Sequence, residues 1–259
     1  MKLIEKYVTL RSHFTEIEKK TENLLTYSDN GYLVLRLDGI GLSKKYLKNN
    51  IRNKKFEGSM WSAMDETFNA LHRKCPHDAH NIILGAIICS DEVSIILSNI
   101  PTYYDYRIIK TLTTFASTFT YFFTLMGMNR SPKKTNQLIA GPFDGRALFL
   151  ESLDEVSDYI TYRYAISIRN SLTKLIRLSG VFEDSEIYSE HNYNNMSYIS
   201  ETLTRLNSTD DINEVFKSPV VFISKERELS NNRFDSIEQL QEWINVGLKY
   251  QRQWLNTFI

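Results

Sequence analysis

The chain is organised around residues 32–39, YLVLRLDG, which the segment IGLS at residues 40–43 follows directly. Five of the six residues before Asp38 are apolar, and such a run predicts a buried β-strand. The strand would end at the Asp38 carboxylate, after which Gly39 and Gly41 let the backbone turn tightly and approach a ligand. A carboxylate beside bare backbone suits a metal–nucleotide site. An Asp-Gly pair is also an ordinary turn, so this stretch alone leaves both interpretations open.

A second stretch predicts a β-hairpin with an acidic tip. Residues 82–89, IILGAIIC, lead into Ser90, Asp91 and Glu92, and residues 93–97, VSIIL, leave the turn. Beside the first strand, this hairpin would bring Asp38 and Asp91 together. Two adjacent carboxylates repel each other unless a divalent cation neutralises them, and Mg²⁺ prefers hard oxygen ligands. Paired metals about 3.5–4 Å apart clamp the oxygens of a phosphoryl transfer, which is the arrangement of a polymerase palm.

These two stretches resemble the tRNA(His) guanylyltransferase family and its bacterial and archaeal relatives, which add nucleotides in the 3′-to-5′ direction. LRLDG at residues 35–39 is similar to the family's strand ending R-[IL]-D-G, and SDEVS at residues 90–94 is similar to its S-D-E-x-S. Further similar segments follow in the family's order: ASTFT at 116–120, FDGR at 143–146, DYITYR at 158–163 and RNS at 169–171. The similarity runs from about Tyr32 to Lys174, with a weaker match over residues 206–225.

The resemblance implies a fold and a domain organisation. We expect an α+β fold, a ferredoxin-like polymerase palm with an antiparallel sheet and packed helices, plus a mostly helical C-terminal extension. The expected boundaries are 1–178 for the palm with its N-terminal helix and 179–259 for the extension packed on it. The helix is predicted from one apolar stripe in residues 1–27, and a second amphipathic helix from Phe56 to Leu71 would form the crossover of the palm. Residues 220–223 predict a short strand and residues 237–254 a closing helix.

The resemblance also implies a site. Two Mg²⁺ ions would be bound by Asp38, Asp91 and the carbonyl of Gly39, with ATP and GTP as substrates. The triphosphate would contact Ser90 and the backbone of Ile40, Gly41, Leu42 and Ser43. Glu92 would orient a ligand or bond a base, and the sequence leaves that choice open. Asp144 is a possible third acidic ligand, although an Asp-Gly turn held by Arg146 is the alternative that we favour.

Basic residues suggest phosphate or RNA contacts at two places. The densest cluster is at residues 44–55, where the resemblance implies roles for Lys44 and Lys54, although a solvated face is the alternative. The family's Pro-x-[DE] step is replaced here by KFE at residues 55–57. Arg163, Arg169 and Asn170, together with Arg177, are predicted on one helix, where arginines suit bidentate phosphate contacts or structural ion pairs.

The family's eukaryotic members carry H-I-N-N-L-Y-N-T, and this chain has IRNSLT at residues 168–173. The missing histidine favours the broader, template-dependent bacterial type. An RNA 5′-monophosphate would be activated with ATP and then attacked by the 3′-OH of the incoming nucleotide. The implied partners are a tRNA or other RNA 5′ end, nucleoside triphosphates and further copies of the chain, as a tetramer by analogy.

Composition limits the remaining possibilities. The 259 residues include 31 basic and 31 acidic ones, so the formal net charge is zero. The composition therefore lacks the excess of basic residues that is typical of nucleic-acid-binding proteins. Two cysteines are too few to predict a disulfide framework. The sequence also lacks the long apolar segment that would predict a signal peptide or a membrane span, so we expect a cytoplasmic protein without membrane contacts. Cys75, His77 and His80 fit zinc patterns poorly. The alternative functions are a palm enzyme that joins or cyclises nucleotides without tRNA, and a catalytically inert RNA-binding module.

Overall fold

The computed structural model describes residues 2–22, 31–72, 82–98, 107–130, 138–193, 195–206, 209–225 and 228–255. The segment with Cys75, His77 and His80, considered above for zinc, lies outside these residues. No helix within the described ranges has the length and apolar character needed to cross a membrane.

The described residues form six strands and eleven helices. The strands are β1 (Tyr32–Gly39), β2 (Ile83–Cys89), β3 (Glu92–Ser98), β4 (Phe143–Leu150), β5 (Val220–Lys225) and β6 (Glu228–Asn232). The helices are α1 (Lys2–Val8), α2 (Arg11–Glu22), α3 (Leu42–Tyr46), α4 (Lys54–His72), α5 (Ile108–Arg130), α6 (Leu153–Leu178), α7 (Asp184–Ile187), α8 (Glu190–Tyr193), α9 (Met196–Arg205), α10 (Thr209–Phe216) and α11 (Ile237–Leu255).

The strands form a single antiparallel sheet in the order β4-β1-β3-β2-β5-β6. Its first four strands have the order of a ferredoxin-like palm, which confirms the predicted α+β fold. Asp38 on β1 lies opposite Glu92 on β3 and opposite Asp144 on β4. Because directly opposed residues of an antiparallel pair share one face of the sheet, these three carboxylates line up across it.

The sheet separates two apolar cores. Leu33, Leu35 and Leu37 belong to the core that the sheet forms with α4 and α5. Val34 belongs to the opposite core, which is formed with α1, α2, α6 and the C-terminal helices. Because side chains alternate along a strand, Arg36 and Asp38 share the face of Val34. The catalytic candidate therefore faces α6.

Three sequence predictions need correction in this fold. The N-terminal stripe forms two helices, because the helix breaks at Thr9 and Leu10 and α2 begins at Arg11. Asp144 and Gly145 lie inside β4, whereas a turn was predicted, because their backbone pairs with β1. Arg146 accordingly approaches Glu18 on α2, at 3.7 Å, and does not lock an Asp-Gly turn.

The C-terminal region contributes more than helices. The strand predicted at residues 220–223 is confirmed as β5, and β5 pairs with β2 of the palm sheet. The following strand β6 was not predicted, because its sequence ELSNN lacks an apolar pattern. The domain boundary at residue 178 stays a prediction, although one continuous sheet runs across it.

Candidate functional site

The hairpin turn between β2 and β3 lies against the end of β1. The backbone N–H of Gly39 donates a 2.9 Å hydrogen bond to the carbonyl oxygen of Asp91. Ser90, at the first position of the two-residue turn, has a φ of 60°, which is a left-handed conformation. The tertiary structure thus brings the Asp38–Gly39 segment and the acidic hairpin tip together, as the sequence predicted.

Asp38 lies in an environment that disfavours its charged form. Burial, together with the nearby charges of Glu92, Asp91 and Asp144, raises the pKa of its carboxyl to about 6, although the charge of Arg36 acts in the opposite direction. Among the described residues, this carboxylate has neither a hydrogen-bond donor nor an ion-pair partner. A cation beside Asp38 would therefore relieve a repulsion that already exists.

The Asp91 carboxylate faces the first turn of α3. Its two oxygens accept hydrogen bonds from the Ser43 backbone N–H, at 2.7 Å, and from the Ser43 hydroxyl, at 2.6 Å. The same hydroxyl lies 3.3 Å from the Ser90 hydroxyl. Ser43, Ser90 and Asp91 consequently form one polar cluster beside Asp38.

Glu92 is engaged in a largely buried ion pair with α6. Its carboxylate accepts two hydrogen bonds from the Arg163 guanidinium, of which the one from Nε measures 2.8 Å. Arg36 approaches the same carboxylate at 3.8 Å and also pairs with Glu18 of α2. In this structure the Glu92 carboxylate binds Arg163 and approaches Arg36, and the pair with Arg163 joins β3 to α6. A role of Glu92 in orienting a ligand or bonding a base stays a prediction.

A cavity of about 600 Å³ opens at these residues. Its acidic lining includes Asp38, Asp91 and Glu92. Its basic lining comes from two elements: Lys44 and Lys48 from the α3 region, and Lys174 and Arg177 from α6. Adjacent carboxylates and several cations in one cavity suit a metal-bound polyphosphate.

Comparison with known proteins shows which family has this arrangement. The family model for tRNAHis guanylyltransferase matches residues 15–151, which is more than half of the chain. The chain belongs to the tRNA(His) guanylyltransferase family. Members of this family are nucleotidyltransferases, and the chain is of that enzyme class. The matched range contains β1, the β2–β3 hairpin and β4, and therefore both Asp38 and Asp91.

Solved structures of the tRNA(His) guanylyltransferase type share the fold. A bacterial tRNA(His) guanylyltransferase-like protein in complex with ATP has a TM-score of 0.63 at 19% identity, covering 89% of this chain and 98% of that chain. A bacterial tRNA(His) guanylyltransferase-like protein in complex with GTP has a TM-score of 0.58 at 16% identity, with coverages of 90% and 97%. The tRNA(His) guanylyltransferase of Saccharomyces cerevisiae has a TM-score of 0.54 at 20% identity, with coverages of 86% and 98%. No curated protein matches the chain significantly by sequence.

The structure separates the sequence-predicted site residues into two groups. The cavity lining includes Asp38, Ser43, Lys44, Ser90, Asp91, Glu92, Arg163 and Asn170. Six other predicted residues are not part of the lining: Gly39, Ile40, Gly41, Leu42, Lys54 and Arg169. Of these, Leu42 is buried under the turn and Ile40 is 57% exposed.

The predicted phosphate contacts of the α6 arginines find little support in their surroundings. Arg163 lines the cavity, but its guanidinium is held by Glu92. Arg169 is only 2% exposed and does not line the cavity. Lys54 is exposed at the start of α4, away from the lining. Asn170 is exposed on the cavity side of α6.

Sequence reasoning placed Lys48 in the basic cluster and Arg177 on the predicted helix without assigning either to the site, and it missed Lys174. One signal was present, because Asn170, Lys174 and Arg177 recur at spacings of four and three on the predicted helix, which places them on one face. Which way that face points depends on how α6 packs on the sheet, and the helical pattern alone does not contain that information.

The groups near Asp38 are of the type that binds a magnesium ion. The available groups are the carboxylates of Asp38 and Asp91 and the carbonyl oxygen of Gly39, all hard oxygen donors. No group of three acidic, histidine or cysteine side chains forms a ready-made metal cluster within the described ranges. Mg²⁺ commonly uses one or two carboxylates together with substrate phosphates, so two carboxylates are sufficient.

Proposed function

We propose that this protein adds nucleotides to the 5′ end of a tRNA in the 3′-to-5′ direction, with Mg²⁺, ATP and GTP. The observation that carries the proposal is the cavity in which Asp38 and Asp91 share the lining with Lys44, Lys48 and Lys174. Family membership supports the nucleotidyltransferase chemistry. The solved relatives in complex with ATP and with GTP support these two nucleotides as substrates.

In this proposal Asp38, Asp91 and the Gly39 carbonyl hold the two metal ions. When bound, Mg²⁺ supplies positive charge at the attacking and leaving oxygens of the phosphoryl transfer. Ser43 holds the Asp91 carboxylate through its backbone N–H and its hydroxyl, the Ser90 hydroxyl donates to triphosphate oxygens, and Lys44 adds positive charge beside them. Lys54 and Asn170 contact the RNA backbone.

The proposed reaction does not require the protein to form a covalent bond with its substrates. In the activation step an oxygen of the RNA 5′-monophosphate attacks the α-phosphorus of ATP, and pyrophosphate leaves. The 3′-OH of the incoming nucleotide then attacks the RNA 5′-phosphorus, and AMP leaves. An RNA end that is already a triphosphate needs no activation, and the same attack releases pyrophosphate. Such transfers depend on positioning and on electrostatic stabilisation of the transition state. The raised pKa of Asp38 adds a pH limit, because a protonated carboxyl binds Mg²⁺ poorly. We therefore expect the affinity of the protein for Mg²⁺ to fall as the pH decreases through about 6, which Mg²⁺ titrations at several pH values measure.

The test uses purified protein, Mg²⁺, ATP and labelled GTP with a tRNA that lacks its first 5′ nucleotide, beside the intact tRNA. Label at the 5′ end of the truncated tRNA, lost in Asp38→Ala and in Asp91→Ala, is the expected result. The matched control is Asp144→Asn, which removes an exposed carboxylate from the same row of the sheet and should retain addition. Circular dichroism of each variant checks the fold.

Other outcomes would point to the alternative functions. Label on intact tRNA(His) alone indicates guanylylation and excludes repair. Triphosphate binding without addition to any RNA indicates a palm enzyme that acts on nucleotides alone, and absence of binding indicates an inert RNA-binding module. Addition that survives in Asp38→Ala would contradict the metal assignment.

We also propose a cytoplasmic homo-oligomer, a tetramer by analogy with the family. Helix α5 supports a contact between copies, because it exposes the apolar side chains of Ile109, Tyr121 and Met128. Light scattering coupled to size exclusion measures the mass in solution, and a monomer would contradict the proposal.

A further inference from the structure

The short helix α3 is attached to its surroundings at both ends. At its start, Ser43 donates two hydrogen bonds to the Asp91 carboxylate. Just past its end, the Leu47 carbonyl accepts a hydrogen bond from the Lys174 ammonium, and the Lys48 carbonyl accepts one from the Arg177 guanidinium at 2.8 Å. Both cations come from α6, and both line the cavity.

The attachment from α6 matters because α3 has only five residues. A helix of this length is not stable by itself, and its position depends on tertiary contacts. The carbonyl groups at a helix end carry partial negative charge, so cations bind there favourably. A hydrogen bond from a charged donor is also stronger than one between neutral groups.

We propose that Lys174, together with Arg177, is a positioning residue for nucleotide transfer, because it clamps the Leu47–Lys48 end of α3 and thereby places Ser43 and Lys44 at the cavity. The name α6 clamp is used here for Lys174, Arg177 and the two carbonyl groups that they bind. The inference rests on the proposed function. In this inference α6 fixes the position of the C-terminal end of α3, at Leu47 and Lys48, whereas the β2–β3 hairpin binds only its start at Ser43.

The α6 clamp has a built-in pH limit. Burial and the charge of Arg177 together lower the pKa of the Lys174 ammonium to about 8, although the charge of Asp91 acts in the opposite direction. The other charged groups of the lining are Asp38 on β1, Lys44 and Lys48 at α3, Glu57 on α4, Glu92 on β3 and Arg163 on α6. Below pH 8 the charged ammonium donates to Leu47. Above pH 8 the neutral amine of Lys174 donates more weakly.

The first experiment needs no activity, and it measures amide hydrogen exchange across residues 43–50 at pH 7. We expect Lys174→Met to exchange about tenfold faster than the wild type in this segment, from the loss of a charge-assisted hydrogen bond. Lys174→Arg keeps a charged donor and should remain close to the wild type. The matched control is Lys110→Met, which removes an exposed lysine on α5 beyond the opposite face of the sheet. Unchanged exchange in Lys174→Met would overturn the α6 clamp.

The second experiment measures nucleotide addition between pH 6.5 and 9.5. The wild-type kcat/KM for the nucleotide should fall above about pH 8, and the fall should move to higher pH in Lys174→Arg. Lys174→Met should show a raised KM for the nucleotide at pH 7 and no fall near pH 8. A merely structural lysine would change stability without moving this profile, so equal profiles in wild type and Lys174→Arg would overturn the inference.

The two experiments separate failure of the inference from failure of the proposed function. If no RNA accepts a nucleotide but the exchange results are as expected, the α6 clamp exists and the proposed function is wrong. If nucleotides are added and Lys174→Met changes neither the exchange nor the profile, the function stands and the α6 clamp is wrong.

Discussion

At the scale of single residues, the charged form of the Asp38 carboxyl lowers the free energy of unfolding of the metal-free protein. Its pKa is raised to about 6 from the ordinary value of 3.8, because the folded protein buries it among other carboxylates. The folded state therefore binds this proton more tightly than the unfolded state. The resulting stabilisation is complete below about pH 4 and is lost as the pH rises through about 6.

We predict that Asp38→Asn raises the free energy of unfolding of the metal-free protein at pH 7.5, by on the order of 1 kcal/mol once the partial exposure of the carboxyl is taken into account. The gain should shrink at pH 4.5, where the folded wild type carries the proton. Urea denaturation at the two pH values measures both effects. Glu201→Gln, which removes an exposed carboxylate of α9 outside the cavity lining, is the control, and a pH-independent gain in Asp38→Asn would contradict the explanation.

The pair of Glu92 and Arg163 supports a second prediction at this scale. Their side chains are 12% and 11% exposed, so each charge depends largely on the other. Arg163→Met should lower the free energy of unfolding by on the order of 3 kcal/mol, because it leaves the largely buried Glu92 side chain beside Asp38 without its main partner. A double-mutant cycle with Glu92→Leu measures the coupling. Losses that simply add would show that the two residues act independently.

At the scale of elements, the β2–β3 hairpin combines a strained backbone with a candidate binding residue. The first position of a two-residue hairpin turn with positive φ favours glycine, and here it is Ser90 at 60°. Strain of this kind is found at functional sites, where a side chain is needed despite the backbone. The Ser90 hydroxyl, 3.3 Å from that of Ser43, is such a side chain.

Ser90→Gly should therefore raise the free energy of unfolding by about 1 kcal/mol and weaken triphosphate binding. Ser90→Ala removes the same hydroxyl but keeps the left-handed strain, so it should weaken binding without the gain in stability. Thermal unfolding and nucleotide titration of both variants separate the two contributions. Stabilisation by alanine equal to that by glycine would show that the hydroxyl, and not the backbone, is the source of strain.

At the scale of the whole molecule, the C-terminal region completes the palm. Strand β5 covers the edge of β2, and Val221 and Phe222 are fully buried in the two cores on either side of the sheet. Leu240 and Ile244 of α11 are also fully buried. A fragment of residues 1–178 would expose this edge and leave a core half open.

We predict that the fragment 1–178 does not fold by itself, whereas the full chain unfolds in one cooperative transition. Nuclear magnetic resonance of the fragment, compared with calorimetry of the full chain, tests this. A fragment with a dispersed spectrum and its own transition would instead support the boundary at residue 178 as a true domain boundary.

Local patterns in the sequence were sufficient for the elements around the candidate site. An apolar run ending in Asp38 predicts β1, and two such runs around Ser90 and Asp91 predict the hairpin, because strand burial and turn chemistry depend on neighbouring residues. The short family motifs, LRLDG and SDEVS, contain the two carboxylates Asp38 and Asp91. The pattern did not predict β6, whose polar sequence forms a strand only because β5 offers it an edge.

What the tertiary structure alone decided is which distant side chains meet. The Glu92–Arg163 pair, the α6 clamp of Lys174 and Arg177, and the alignment of Asp38 with Asp144 join positions far apart in the chain. Such contacts depend on the angle at which helices cross the sheet and on strand register, and neither is encoded in a local periodicity. The sequence therefore determined the acidic residues and the strands that carry them. Packing decided that Arg163 holds Glu92 and that the basic face of α6 borders the cavity.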